Sequence, residues 1–289
     1  MDYSSIQLRR MFGKPFLPKL SLSRSEIAVK VRDAAGKLSI SGVQPKLSLV
    51  LQKDELLPVF EKGQYILKPQ TEAFPYLPEN EALCMSISEM LGIDTAPNIL
   101  ITLKDCSNAF LVKRFDRLSY NRKIQTEDFS QILGKDKYDG SYEQIGKFMK
   151  DCPNINLLQL QYLFERIVIN FLVGNADAHL KNFSLLTQKK GTFLSPAYDI
   201  VSSRLAIPEE KDETALTLCG KKRRLSGADF IKFGLILGII ESYIQKYLDK
   251  CINSKEKIFS LTEKSLLPEE EKKRFIEIID YRILALKKY

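Results

Sequence analysis

The sequence predicts an α+β fold in two lobes, a small sheet-containing N-lobe over 1–116 and a mostly helical C-lobe over 117–289. Three observations predict it. Short apolar runs bounded by Gly, Pro and charged turns gather before Asp116. After it, apolar residues at helical spacing follow Ser/Asn-x-x-Gln start signals. Between these helical stretches lies an almost wholly apolar segment, 157–173, as expected of a helix at the centre of a lobe. Gln159, Gln161, Glu165, Arg166 and Asn170 interrupt it, which argues for a buried helix over a membrane span.

In chain order, residues 1–37 are mixed and rich in Ser, Lys and Arg, with weak periodicity at 25–35 suggesting a short helix. Residues 47–51 and 65–68 read as strands, separated by turns at Lys53-Asp54-Glu55 and Gly63. Pro69 and Pro75-Tyr76-Leu77-Pro78 mark a loop. From 80 to 91, Leu83, Ile87, Met90 and Leu91 share one helical face, and Gly92 follows the end. Residues 99–103 and 109–115 are two further strands. Ser141-x-x-Gln144 and Asn156-x-x-Gln159 resemble capping boxes, and Ser226-x-x-Asp229 is a looser one. Strand candidates at 183–187 and 192–194 follow the central helix, and amphipathic helices near 229–251 and 268–287 close the chain.

Composition narrows the chemistry. One histidine, His179, excludes zinc sites built on several imidazoles and leaves a single imidazole for any triad. Five scattered cysteines without a Cys-x-x-Cys pair read as reduced thiols. No apolar stretch follows the charged residues 1–10, so no secretory signal is expected. A cytoplasmic location without membrane contact is the expectation. The net charge of +8 suits an acidic or phosphate-bearing partner. The run Lys221-Lys222-Arg223-Arg224 lacks interleaved aromatics, so direct nucleic-acid binding is not expected.

Carboxylate, lysine and metal chemistry remain. Gly174-Asn175 breaks the central helix and opens a loop in which Asp177 and Asn182 have Asp-x-x-x-x-Asn spacing. In protein-kinase catalytic loops this spacing supplies the base for a hydroxyl proton and an Mg²⁺ ligand. Asp199, 17 residues after Asn182, adds a second carboxylate, so Asn182 with Asp199 is a sufficient magnesium set. Taken alone, the loop could equally be a polar turn. Lys68 ends a strand, where it can meet phosphate or simply stand in solvent. Glu81, 13 residues on, could orient that lysine or merely favour a helix N-terminus. Residues 39–46, Ser-Ile-Ser-Gly-Val-Gln-Pro-Lys, form a small-residue loop that could wrap phosphates, although one glycine is a weak pattern.

Taken together, these segments resemble the HipA family of bacterial serine/threonine kinases. The matching pieces are Ser41-Gly42-Val43-Gln44-Pro45-Lys46, Ile66-Leu67-Lys68, Asn80-Glu81, Val112-Lys113-Arg114-Phe115-Asp116-Arg117, residues 174–184 and Pro196-Ala197-Tyr198-Asp199-Ile200, in family order. The resemblance implies a two-lobed protein-kinase-like fold, ATP and Mg²⁺ as cofactors, and Asp177 as general base. It implies Asn182 and Asp199 as metal ligands, Lys68 on the ATP phosphates with Glu81 as its orienting partner, and the Ser41–Lys46 loop over them. Backbone groups of Lys113 and Phe115 would receive the adenine as a hinge, with Arg114 also at the nucleotide and Asp116 near the ribose. His179, Leu180, Lys181 and Tyr198 would line the nucleotide or the reacting phosphate. Tyr198-Asp199-Ile200 stands where other protein kinases carry Asp-Phe-Gly.

Only 38 residues precede Ser39. In this the chain is similar to the HipT branch of three-component HipBST toxin–antitoxin systems, in which HipS corresponds to the missing N-terminal piece. That branch implies autophosphorylation at Ser39 and Ser41, an aminoacyl-tRNA synthetase (tryptophanyl favoured) as substrate, and HipS-like and HipB-like partners. Phosphorylation of such a target would inhibit translation and growth. Other acceptors, or a non-catalytic binding module, are the alternative readings.

Overall fold

Two-residue alternation builds the front of the chain. In the computed structural model, which describes residues 3–35, 45–119 and 122–288, the strands β1 (Leu47–Gln52), β2 (Glu55–Pro58), β3 (Tyr65–Pro69), β4 (Asn98–Thr102) and β5 (Asn108–Lys113) form one antiparallel sheet. Its order is β2-β1-β3-β5-β4. Leu47, Leu49, Leu67, Ile99, Ile101 and Leu111 belong to one core with Met11 and Phe12 of helix α1 (Ser5–Phe12) and Ile27 of α2 (Arg24–Ala35). Successive side chains on a strand point to opposite faces. Leu67 therefore enters this core and Lys68, one residue on, turns the other way.

Helix α1 was not foreseen. Its N-terminus is closed by a Ser4–Gln7 capping box, and its end by Gly13 at φ 72°. Helix α3 (Leu77–Met90) starts three residues earlier than expected, because Pro78 sits in the first turn, where a missing N–H costs nothing. A short hairpin, β6 (Arg117–Ser119) with β7 (Arg122–Lys123), follows the sheet.

The chain divides into two compact units, Met1–Ala82 with Ala96–Lys123 and Leu83–Thr95 with Ile124–Tyr289. This differs from a single cut at residue 116. The β6–β7 hairpin groups with the first unit, and residues 83–95 group with the second. Within the second unit, Ala197 N–H donates to Asp94 O at 2.7 Å and Lys250 Nζ to Leu91 O at 2.7 Å.

The second unit holds an antiparallel sheet in the order β10-β9-β8, from β8 (Gln125–Asp128), β9 (Ser184–Gln188) and β10 (Gly191–Leu194). Its helices are α4 (Phe129–Leu133), α5 (Tyr142–Asp151), α6 (Leu158–Leu172), α7 (Ser203–Ala206), α8 (Gly227–Ile236), α9 (Glu241–Asn253), α10 (Lys255–Lys264) and α11 (Glu269–Leu286). Helix α6 is the central helix that the sequence indicated, with Leu163, Phe164, Val168 and Phe171 fully buried. Phe164 stacks on Phe233 of α8, and the Arg282 guanidinium of α11 lies 4.5 Å over the Phe171 ring.

Three expectations are corrected. The helix expected over 229–251 is two, α8 and α9, because Gly238 at φ 84° turns the chain between them. The Asn156–Gln159 box does not form: Gln159 Oε1 instead accepts from Leu194 N at 2.9 Å, and α6 has no side-chain cap. Strand β8 and helix α10 lie where neither was expected, since a four-residue strand and a mostly polar helix carry little periodicity. The Ser141–Gln144 box at the start of α5 is present. Among the described residues, no helix is long and apolar enough to cross a membrane.

Candidate active site

Each unit carries one constellation of the residues singled out in the sequence. In the first unit, Lys68 on the inner strand β3 lies opposite Phe110 of β5, with its ammonium 5.6 Å from the Phe110 ring centroid. Its Nζ donates to Glu81 Oε1 of α3 at 2.6 Å, and the two side chains are 5% and 2% exposed. The strand places the lysine on the face opposite the α1–α2 core, and the first turns of α3 bring the carboxylate to it. The solvent-lysine reading does not survive this burial.

The segment after β5 is also charged. Arg114 grips Asp116 with two parallel bonds, Nε to Oδ1 at 2.8 Å and Nη2 to Oδ2 at 2.7 Å, and Arg117 lies 3.7 Å away. Burial pushes the Asp116 carboxyl up, but the hydrogen bonds and charge of Arg114, with Arg117 and Lys123, outweigh it and hold the group below its usual range. Burial depresses the Lys113 ammonium, whose Nζ donates to Arg10 O at 3.3 Å. The amides of Lys113 and Arg114 already donate to Pro97 O and Gln64 O, both at 2.8 Å. Pro45 and Lys46 lie half-buried just before β1. Ser39, Ser41, Gly42, Val43 and Gln44 lie outside the described residues.

In the second unit, a relay of amides leads from the central helix to the Asp177 loop. Asn170 Nδ2 donates to Arg166 O at 2.9 Å, Asn175 Nδ2 to Asn170 Oδ1 at 2.7 Å, and Asp177 N–H to Asn175 Oδ1 at 3.1 Å. Gly174 makes the exit from α6 possible at φ 72°, where a Cβ would stand 2.9 Å from Ile278 and 3.2 Å from Arg204. The Asp177 carboxylate is exposed at the loop tip.

Asn182 closes the loop. Its Oδ1 accepts from His179 N–H at 3.0 Å, and its Nδ2 donates to Asp199 Oδ2 at 2.9 Å. Asp199 holds φ 60°, a left-handed conformation that aspartate tolerates better than most residues and that clusters at functional sites. Tyr198 braces both loops, donating to Lys181 O at 2.8 Å and sharing a 2.5 Å bond with Ser184 Oγ. Burial raises its phenol well above the ordinary value. Leu180 is buried beside Gly140, whereas the Lys181 side chain is exposed. Burial lowers the His179 pKa more than Asp177 and Asp199 can restore it, with Lys137 adding to the depression.

Tyr138 and Lys137, on the turn before α5, went unnoticed in the sequence. Tyr138 O–H donates to Asp177 Oδ1 at 2.7 Å, and the Lys137 ammonium, 4.4 Å over the Tyr138 ring, is held above its usual pKa by its bond to that tyrosine. No local pattern marks either residue. Arg166 was noticed only as an interruption of the helix; it is buried and donates Nη2 to Ser195 O, just before the Tyr198-Asp199 turn. A charged residue inside an apolar helix was the available signal.

Residues 38–259 match the family model for the HipA-like C-terminal domain. A Haemophilus influenzae protein named "Putative kinase" is 35% identical over 89% of this chain and 84% of its own length. The kinase-named Y4mE of Sinorhizobium fredii is 34% identical over 67% of the chain, and the serine/threonine-protein kinase toxin HipA of Shewanella oneidensis 30% identical over 60%. The chain spans about half of those two, 48% and 45% of their lengths. Among solved structures, the S. oneidensis HipA–HipB–operator DNA complex matches with a TM-score of 0.70 at 22% identity, over 86% of this chain and 64% of that one. The Helicobacter pylori kinase CtkA matches with a TM-score of 0.59 at 16% identity, over 86% and 91%. The α+β architecture is shared with both, and the sequence match across 38–259 places this chain in the HipA-like C-terminal domain family.

Proposed function

We propose that this chain is an ATP-dependent serine/threonine protein kinase that transfers the γ-phosphoryl group to a protein serine. The observation that carries the reading is the Asn182–Asp199 contact at 2.9 Å, five residues after an exposed Asp177 on the same loop. The buried Lys68–Glu81 pair supports it. Burying an ion pair adds little net stability, so its retention is better explained by positioning an ammonium for phosphate.

In this reading Asp177 takes the proton of the acceptor hydroxyl as that oxygen attacks Pγ. Lys68, oriented by Glu81, neutralises phosphate charge, and the loop from Ser41 to Lys46 covers the phosphates. The segment 113–116 receives adenine and ribose through groups other than the amides of Lys113 and Arg114, which are already bonded. His179 and Lys181 line the reacting phosphate, with Leu180 and Tyr198 holding the loops behind it. Magnesium fits the donor chemistry, since Asn182 Oδ1 and the Asp199 carboxylate are hard oxygen donors. The amide meets Asp199 through Nδ2 while its Oδ1 accepts from His179 N–H, so holding the ion would require the amide to turn its Oδ1 toward Asp199. Once bound, the ion would neutralise phosphate charge.

The resemblance extends the reading to a cytoplasmic toxin that phosphorylates an aminoacyl-tRNA synthetase, tryptophanyl favoured, and itself at Ser39 and Ser41. A HipB-like DNA-binding antitoxin and a HipS-like small protein would be its partners. The name of the S. oneidensis relative and its solved complex with HipB and DNA support the toxin and antitoxin parts.

The test is Mg²⁺-dependent transfer of labelled γ-phosphate into a cell extract, with wild type and Asp177→Asn side by side. Label in one synthetase-sized band and on the chain is expected. Loss of the general base should cut transfer by roughly 10²–10⁴-fold while ATP still binds. A folded wild type that does not bind ATP would end the reading.

A further inference from the structure

Tyr138 belongs to no motif, yet its hydroxyl donates to Asp177 Oδ1 at 2.7 Å. The turn that carries it is fastened to the Asp177 loop by the Leu180 amide, which donates to Lys137 O at 3.0 Å. Its ring stands edge-on to His179, with centroids 5.3 Å apart at 77°, and Lys137 covers one face. The residue is still 47% exposed. Rotation about its side-chain torsions would carry the phenol into solvent without opening a cavity.

A general base must lie within hydrogen-bond reach of the hydroxyl whose proton it takes. On Asp177 one of the two carboxylate oxygens, Oδ1, already holds a phenol O–H. Resting on the kinase reading above, we propose that Tyr138 is an acceptor-site plug, a specificity-determining residue that occupies the hydroxyl position until a docked serine displaces it. Bonds to a carboxylate are stronger than neutral ones, so displacement sets a threshold. Water, which brings no other contacts, is excluded by it, whereas a docked protein acceptor supplies the binding energy to cross it. After displacement, the serine Oγ–P bond forms, the bond from Pγ to the bridging oxygen of ADP breaks, and the serine proton goes to Asp177.

The test uses the full chain with Mg²⁺-ATP, water as one acceptor and dephosphorylated casein as the other. Tyr138→Phe keeps the ring against His179 and Lys137 and removes only the hydroxyl. It should raise ATP hydrolysis about 3–10-fold, the worth of one hydrogen bond. It should also lower KM for casein with kcat held and KM for ATP unchanged. Tyr138→Ala should move hydrolysis in the same direction, and Tyr281→Phe, an exposed tyrosine of α11, should change nothing. A silent wild type beside an active Tyr138→Phe would support the plug most directly. Unchanged hydrolysis, or a fall in casein kcat, would overturn it while wild-type transfer left the kinase reading intact. No ATP turnover by either folded protein would overturn the kinase reading itself.

Discussion

Asp116 shows how one carboxylate couples the segment after β5 to stability. Arg114 and Arg117 hold its pKa below the unfolded value, against the opposing effect of burial. A depressed carboxylate contributes stability that is present above the unfolded carboxylate range and is lost as pH falls through the folded value. Asp116→Asn should therefore flatten the acid side of the stability–pH curve, as measured by urea unfolding between neutral pH and pH 3. An unchanged acid limb would mean that the Arg114 fork contributes no coupling. The sequence displayed the Arg-Phe-Asp-Arg string, but the fork between residues two apart is a matter of side-chain geometry.

At the level of elements, the second unit depends on close packing between its helices. Helix α8 crosses near α9 at Gly234, where a Cβ would stand 2.4 Å from Ile244 Cδ1 and 3.3 Å from Phe164. Gly234→Ala should destabilise the fold by about 1–3 kcal/mol, the usual cost of overpacking, read as a lower urea midpoint at constant m. Stability equal to wild type would show that Ile244 can step aside. Local patterns revealed α6, the Ser141–Gln144 box and the strands on either side of Lys68. They failed at Asn156–Gln159, where a distant backbone donor, Leu194, captured the glutamine. They failed again at 229–251, where one glycine divided a continuous apolar pattern into two helices.

Across the whole molecule, ligand binding should register as stability. Anything that binds only the folded state stabilises it by RT ln(1 + [L]/Kd), about 2.7 kcal/mol at 100 times Kd. Mg²⁺-ATP should raise the melting temperature. Asp199→Asn should lose the magnesium-dependent part of that shift and keep the part due to ATP alone. A shift that is indifferent to magnesium in the wild type would remove Asn182 and Asp199 as metal ligands.

Which of the singled-out residues meet could be read in advance where they lie close in sequence. Asp177, Asn182 and Asp199 fall within 23 consecutive residues, and Lys68 and Glu81 are 13 apart on a strand and the helix after it. Short spacings survive folding, because period two and period 3.6 place such residues with little help from the rest of the chain. The proton donor on Asp177, by contrast, comes from 39 residues upstream. The brace of Tyr198 on Lys181 and the hold of Arg166 on Ser195 O likewise went unforeseen. Each depends on which distant surfaces pack together, and packing is settled by the summed contacts of the folded chain rather than by any one stretch of it.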